Sequence, residues 1–222
     1  MPTQIVDIQA RRVDFDTQSN ADWLDGLLLW KAGAGGVVAG ATNTGNGALT
    51  VASVDAGTAL GHHVVSVTSI DNMPRITVQA PDGSVTARGV AGLPLYAGGI
   101  TFTLAQGSTP FAVDDTFAIG VLRTPVDITG LRFVLQARLT RTSANVAFVA
   151  DSAPGGFIAP TIAAGGTNGT IALAVPRAMM SPDRFAPSTY VHDILAIDPE
   201  SGRVVPAFFG EIAHAYGVTQ LS

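Results

Sequence analysis

The chain contains no cysteine in 222 residues. That absence excludes disulfide frameworks, cysteine-ligated zinc or iron–sulfur centres and thiol catalysis, and it leaves the compartment unread from redox chemistry. Charge is also scarce. Asp, Glu, Lys and Arg make up 13% of the residues, about half the ~25% usual for soluble domains. The 12 cationic residues include a single lysine, Lys31, and form no basic stripe. The electrostatic footprint of a nucleic-acid binder is therefore missing. Aromatics are only 7%, so the apolar content is mostly Ala, Val, Ile and Leu. Residues 32–54, 89–113 and 152–176 lack any charge, yet glycines and interleaved Thr, Ser and Asn keep them from reading as membrane helices of ~20 predominantly apolar residues. The opening Met1-Pro2-Thr3-Gln4 has neither a cationic start nor an apolar segment, unlike a secretory signal.

What remains is an acidic, apolar chain. The net charge is −5, hydrophobic residues reach 47%, and mean hydropathy is +0.35. Such a chain is too apolar to stay disordered, and its low-charge surface suits coverage by other subunits. Helical periodicity is rare. Residues 20–30 are the best helical candidate through Trp23, Leu24, Leu27 and Leu28, although the second half also reads as a buried strand. A short helical turn is expected within residues 177–185. The rest reads as β.

Turn signals punctuate residues 42–122: Thr44-Gly45-Asn46-Gly47, Asp55-Ala56-Gly57, Asp71-Asn72-Met73-Pro74 and Pro81-Asp82-Gly83. Between them lie expected strands at 48–54, 62–70, 75–79, 84–90, 100–105 and 116–122. Ile100, Phe102 and Leu104 alternate, as do Phe117, Ile119 and Val121, which marks one buried face each. A second series follows Val126. Strands are expected at 131–139, 145–150, 170–175, 190–197, 203–209 and 211–218, with Leu131, Phe133, Leu135, Ala137 and Leu139 on one face. The run Ala32-Gly33-Ala34-Gly35-Gly36 reads as a break in order, and Arg123-Thr124-Pro125 as a second seam. The expected architecture is all-β with little helix: two β-sandwich or barrel-like domains. One is discontinuous, residues 1–40 plus 123–222, and residues 41–122 are inserted in it.

No residues are assigned to catalysis, to a cofactor or to a metal. His62 and His63 are neighbours on a strand, so they face opposite ways and chelate poorly. The same parity separates His192 from Asp193, and no Gly-x-Ser-x-Gly elbow accompanies them. Asp114 and Asp115 offer two carboxylates toward calcium, which needs about six or more oxygens; a turn or capping role is the alternative. The Gly33–Gly36 and Gly45–Gly47 runs lack the Gly-Lys-Ser/Thr of a phosphate loop. Arg11-Arg12 and the Arg138/Arg141 pair read as solvated faces or interface partners.

Two stretches do resemble known families. Asn43-Thr44-Gly45-Asn46-Gly47, Val64-Val65-Ser66-Val67, Pro81-Asp82-Gly83, Ile100-Thr101-Phe102-Thr103-Leu104 and Phe111-Ala112-Val113-Asp114-Asp115-Thr116-Phe117 resemble a small β module of tailed-bacteriophage structural proteins, often attached to head decoration proteins. Asp114 stands where that module has glycine, and His62-His63 where it tends to have Thr-Tyr. The flanking Val126-Asp127-Ile128-Thr129-Gly130, Gln136-Ala137-Arg138, Tyr190-Val191-His192-Asp193 and Gly210-Glu211-Ile212 are similar to the N-terminal domains of phage baseplate upper proteins. In that family the corresponding strand follows closely on an N-terminal strand pair; here about 80 residues intervene. The resemblance implies a virion structural component, in the tail tip, baseplate or fibre attachment, without catalysis. Its expected partners are other virion structural proteins and copies of itself in a symmetric homo-oligomer, with no nucleic acid and no membrane. The alternatives are a capsid decoration protein and a glycan- or receptor-binding module.

Overall fold

The structure is a computed structural model that describes residues 7–71, 73–153, 156, 158–160 and 166–218. The chain is all-β. It opens with β1 (Arg11–Arg12), β2 (Phe15–Gln18) and β3 (Trp23–Leu28). It continues through β4 (Trp30–Ala39), β5 (Ala48–Val54), β6 (Gly61–Ser69), β7 (Arg75–Gln79), β8 (Val85–Val90), β9 (Pro94–Ala97), β10 (Ile100–Ala105) and β11 (Thr116–Pro125). It ends with β12 (Arg132–Arg138), β13 (Phe148–Asp151), β14 (Ile158–Pro160), β15 (Thr170–Val175), β16 (Ser188–Ile197) and β17 (Val204–Ala215). A 3-10 turn at Arg177–Met179 falls where a helical turn is expected. The chain divides into two compact units, Met1–Trp30 with Pro125–Ser222, and Lys31–Thr124.

In the first unit a six-stranded sheet follows the order β1-β17-β16-β12-β13, with β2 also pairing β17. A three-stranded sheet runs β14-β15-β3. One core joins them: Phe133, Leu135, Ile194 and Ile212 from the large sheet, Trp23, Leu27, Ile171 and Leu173 from the small one. This is sandwich packing, in which alternate residues of two sheets turn toward each other. Residues 23–28 are strand, and the helix-like spacing of Trp23 and Leu27 has a simple cause. Asp25 lies between them on the same side, but at the rim, where its carboxylate accepts the Trp23 indole N–H at 2.8 Å. In β12 the expected apolar face holds from Leu131 to Ala137; Leu139 lies beyond the strand and is exposed. The expected separate strands at 203–209 and 211–218 are one strand, β17, paired with β16 across a bulge. The alternation of Ile5, Asp7 and Gln9 with Val6, Ile8 and Ala10 reads as a further strand; positions 5 and 6 lie outside the described residues, and residues 7–10 are not strand.

The second unit has a five-stranded sheet, β4-β11-β6-β7-β8, and a three-stranded sheet, β5-β10-β9. Ile100, Phe102 and Leu104 are fully buried and meet Val65, Ile76, Val78 and Ile119 of the other sheet. Here the reading of residues 32–36 as a break is corrected: they lie within β4, hydrogen-bonded beside β11. A Cβ at Gly35 would come within 2.6 Å of the Leu122 side chain. The glycines therefore admit the side chains of β11 across the strand rather than loosening it. β11 runs on through the expected seam at 123–125, and the division between the two units falls within that seam, between Thr124 and Pro125.

Candidate functional site

The outer face of the large sheet carries a depression of about 490 Å³ over β12, β16 and β17. Pairing register builds it. Gln136 lies opposite Asp193 on one side, and Phe209 lies opposite Asp193 on the other. The three side chains thus form one row across three strands. Leu195 and Pro206 form part of the next row, also facing out. The β16–β17 register jumps from Ile194↔Phe208 to Leu195↔Pro206, so Ala207 is an extra residue. This bulge lets Ala207 and Phe208 both turn into the core while Pro206 and Phe209 share the outer face.

Two arginines border the row. The Arg138 guanidinium donates to the Ser143 carbonyl at 2.7 Å, the Ala144 carbonyl at 2.9 Å and Gln136 Oε1 at 3.1 Å. It therefore fixes the β12–β13 loop that carries Arg141 over the depression. Arg141 and the exposed Asp193 carboxylate make no hydrogen bond or ion pair among the described residues. The depression thus presents an uncommitted acid, an uncommitted base, an amide and an aromatic ring over an apolar floor.

The residues singled out from sequence are placed as follows. His192 and Asp193 do face opposite sides: His192 is buried under the sheet, and its Nε2–H donates to the Val13 carbonyl at 2.9 Å. Its Nδ1 is then a buried lone pair without a partner among the described residues. Burial pushes its pKa below the ordinary histidine value, against opposing pulls from the Val13 carbonyl, Asp193 and Asp14. His62 is exposed and His63 fully buried, with Nε2 2.9 Å from the Ala59 carbonyl. His214 is also buried. Its Nε2–H donates to the Met180 carbonyl at 3.2 Å, its Nδ1 accepts from the Thr17 hydroxyl at 2.8 Å, and its ring stacks on Phe185. Burial lowers its pKa too.

Asp114 and Asp115 separate in role. Asp114 takes a left-handed backbone conformation, φ 71°. Asp115 is buried, and its carboxylate accepts the backbone N–H groups of Thr44 at 2.7 Å, Gly45 at 2.9 Å and Ala112 at 2.9 Å. Burial alone would raise its pKa; the three N–H donors outweigh that and hold it below the usual carboxylate range. Asn43 completes the clasp, exchanging side-chain bonds with the Thr116 backbone at 2.7 and 2.8 Å. Both oxygens of Asp115 are thus turned to the backbone of the turn. Among the described residues, His, Asp and Glu do not gather in threes as a metal site would need.

Arg11 and Arg12 also part. The Arg11 guanidinium lies 3.3 Å over the Trp30 ring and donates to the Trp30 carbonyl, whereas exposed Arg12 pairs with Asp14 at 3.1 Å. A second surface feature is the outer face of the three-stranded sheet. Leu24 (70% exposed) and Leu28 (46% exposed) stand on β3, at the edge of that sheet. Gly26, Thr170, Ala172 and Ala174 share their face by register, and none carries charge.

Sequence reasoning noted Arg138 and Arg141 but missed that register would bring Gln136, Asp193 and Phe209 into line beside them. The available signal is parity: alternation places Gln136 and Arg138 on the face of β12 opposite Phe133 and Leu135. Pro206, inside the strand expected at 203–209, is the local mark of the bulge that turns Phe209 outward, because proline in an inner strand sits at a bulge.

No family model matches the chain, and no curated protein matches it. Among solved structures, a crystal structure of Xanthomonas campestris FlgL (space group H3) is similar at 23% identity and a TM-score of 0.32, over 45% of this chain and 33% of that one. A second crystal form of the same protein (space group C2) is 21% identical with a TM-score of 0.30, over 50% of this chain and 31% of that one. The chain spans about a third of the length of the FlgL chains it matches.

Proposed function

We propose that the chain is a structural subunit of a tailed-phage or phage-like particle, sited in the tail tip, baseplate or fibre attachment. It acts through subunit–subunit contacts, including contacts with its own copies, and not through catalysis. The observation that supports this reading most is the uncharged outer face of the β14-β15-β3 sheet. Leu24 and Leu28 rise from a floor of Gly26, Ala172 and Ala174, and β3 ends its sheet. An apolar, lightly charged edge strand is a liability for an isolated protein unless something covers it. A symmetric assembly covers such a face by repetition.

Light scattering on the purified full chain tests this. The wild type is expected to form a closed oligomer, and the L24K/L28K double variant to dissociate with an unchanged circular dichroism spectrum. A wild type that stays monomeric, or an oligomer indifferent to both lysines, counts against this face as the contact.

A further inference from the structure

The geometry points to a saccharide-binding site in the depression on the outer face of β12, β16 and β17, with a neutral sugar ring as its ligand. The site goes beyond the structural role and does not depend on it. Its volume of about 490 Å³ lies within the range of ~300–1,000 Å³ typical of small-molecule sites, and the chemistry of the lining selects among ligand classes.

An anion is disfavoured. Asp193 stands at the centre of the row, and the Arg138 guanidinium is committed to Ser143, Ala144 and Gln136. A cation is disfavoured by Arg138 and Arg141 on the same rim. A purely apolar ligand would strip water from Asp193 and Arg141, which have no protein partner among the described residues to replace it. A neutral polyol meets each group with its complement. Adjacent hydroxyls donate to the two Asp193 oxygens, and a hydroxyl oxygen accepts from the Gln136 amide or from Arg141. The C–H face of the ring lies on Phe209, with Leu195 and Pro206 beside it. Phe209 is half-buried, and the bulge in β17 turns it to this face.

The test is saturation-transfer NMR of the full chain with a panel of methyl glycosides: neutral hexosides, N-acetylhexosaminides and, as acidic comparators, glucuronide and sialoside. At least one neutral glycoside is expected to bind. D193A should weaken it about tenfold or more, the loss expected when a charged hydrogen-bond acceptor is removed. F209A should weaken it as well, and D193A should leave thermal stability unchanged because Asp193 is exposed. Should F209A fail to fold, D193A and Q136A decide alone. The proposal is overturned by failure of every neutral glycoside to bind, or by binding that D193A leaves intact. It is equally overturned if only the acidic glycosides bind and R141A, not D193A, abolishes that binding.

Discussion

Replacing Asp115 should open the turn that carries Asn43, Thr44 and Gly45. The carboxylate accepts three backbone N–H groups at 2.7–2.9 Å and is itself buried. Hydrogen bonds to a charged group contribute about 1.5–3 kcal/mol each, and less where water can re-enter. The three donors are only partly buried, so D115A should cost about 3–4 kcal/mol rather than the full sum. D115N keeps one oxygen and turns an amide N–H toward a backbone donor; about 2–3 kcal/mol is expected. For a unit the size of Lys31–Thr124, each kcal/mol shifts Tm by roughly 4–8 °C. Trp23 lies in the core of the first unit, and Trp30, the boundary residue that opens β4, stacks with Arg11 of that unit. Tryptophan fluorescence therefore reports mainly on the first unit, while circular dichroism follows both. Urea titration by circular dichroism, with amide exchange at Thr44, Gly45 and Ala112, is the assay. Acid should reproduce the effect. The Asp115 pKa is lowered on folding, so its stabilisation is present above the unfolded value of about 3.9 and is lost as pH falls through the lower folded value. A D115A chain within about 0.5 kcal/mol of wild type, the spread of ordinary surface substitutions, would refute the clasp.

Two of the three buried histidines make a second pH window. His192 and His214 have lowered pKa values, so between the folded values and about 6.5 the unfolded chain binds more protons. Their contribution is present above about 6.5 and lost as pH falls. Thermal melts between neutral and mildly acidic pH should show Tm falling, and H192Q/H214Q should flatten that slope. Phe102 is fully buried in the second unit; F102A should cost about 3–5 kcal/mol through lost burial and the cavity left, measurable by urea titration. The Arg132–Asp151 ion pair is partly exposed, so R132A should cost under about 1 kcal/mol in the same titration.

Much of this fold was legible because alternation and turn chemistry agree. Ile100, Phe102 and Leu104 read as one buried face, and all three are fully buried. Pro81-Asp82-Gly83 read as a hairpin turn; Gly83 has φ +83°, and the Asp82 carboxylate accepts the Ser84 N–H. His62/His63 and His192/Asp193 part to opposite faces as strand parity requires. The failures share a physical origin in partners distant along the chain. The Gly33–Gly36 run forms a strand because β11 lies against it and its side chains need the space. Pro94–Ala97 and Ile158–Pro160 are too short for a periodic signal and are strands through pairing with β10 and β15. The depression was hidden for the same reason, since Gln136, Asp193 and Phe209 meet only through register.

The proposed structural role is tested most directly by mass spectrometry of separated heads and tails from purified particles. Recovery of this chain in tails, at a low copy number related to tail symmetry, is the predicted result. Abundance in heads would move the role to capsid decoration, and absence from both fractions would contradict it.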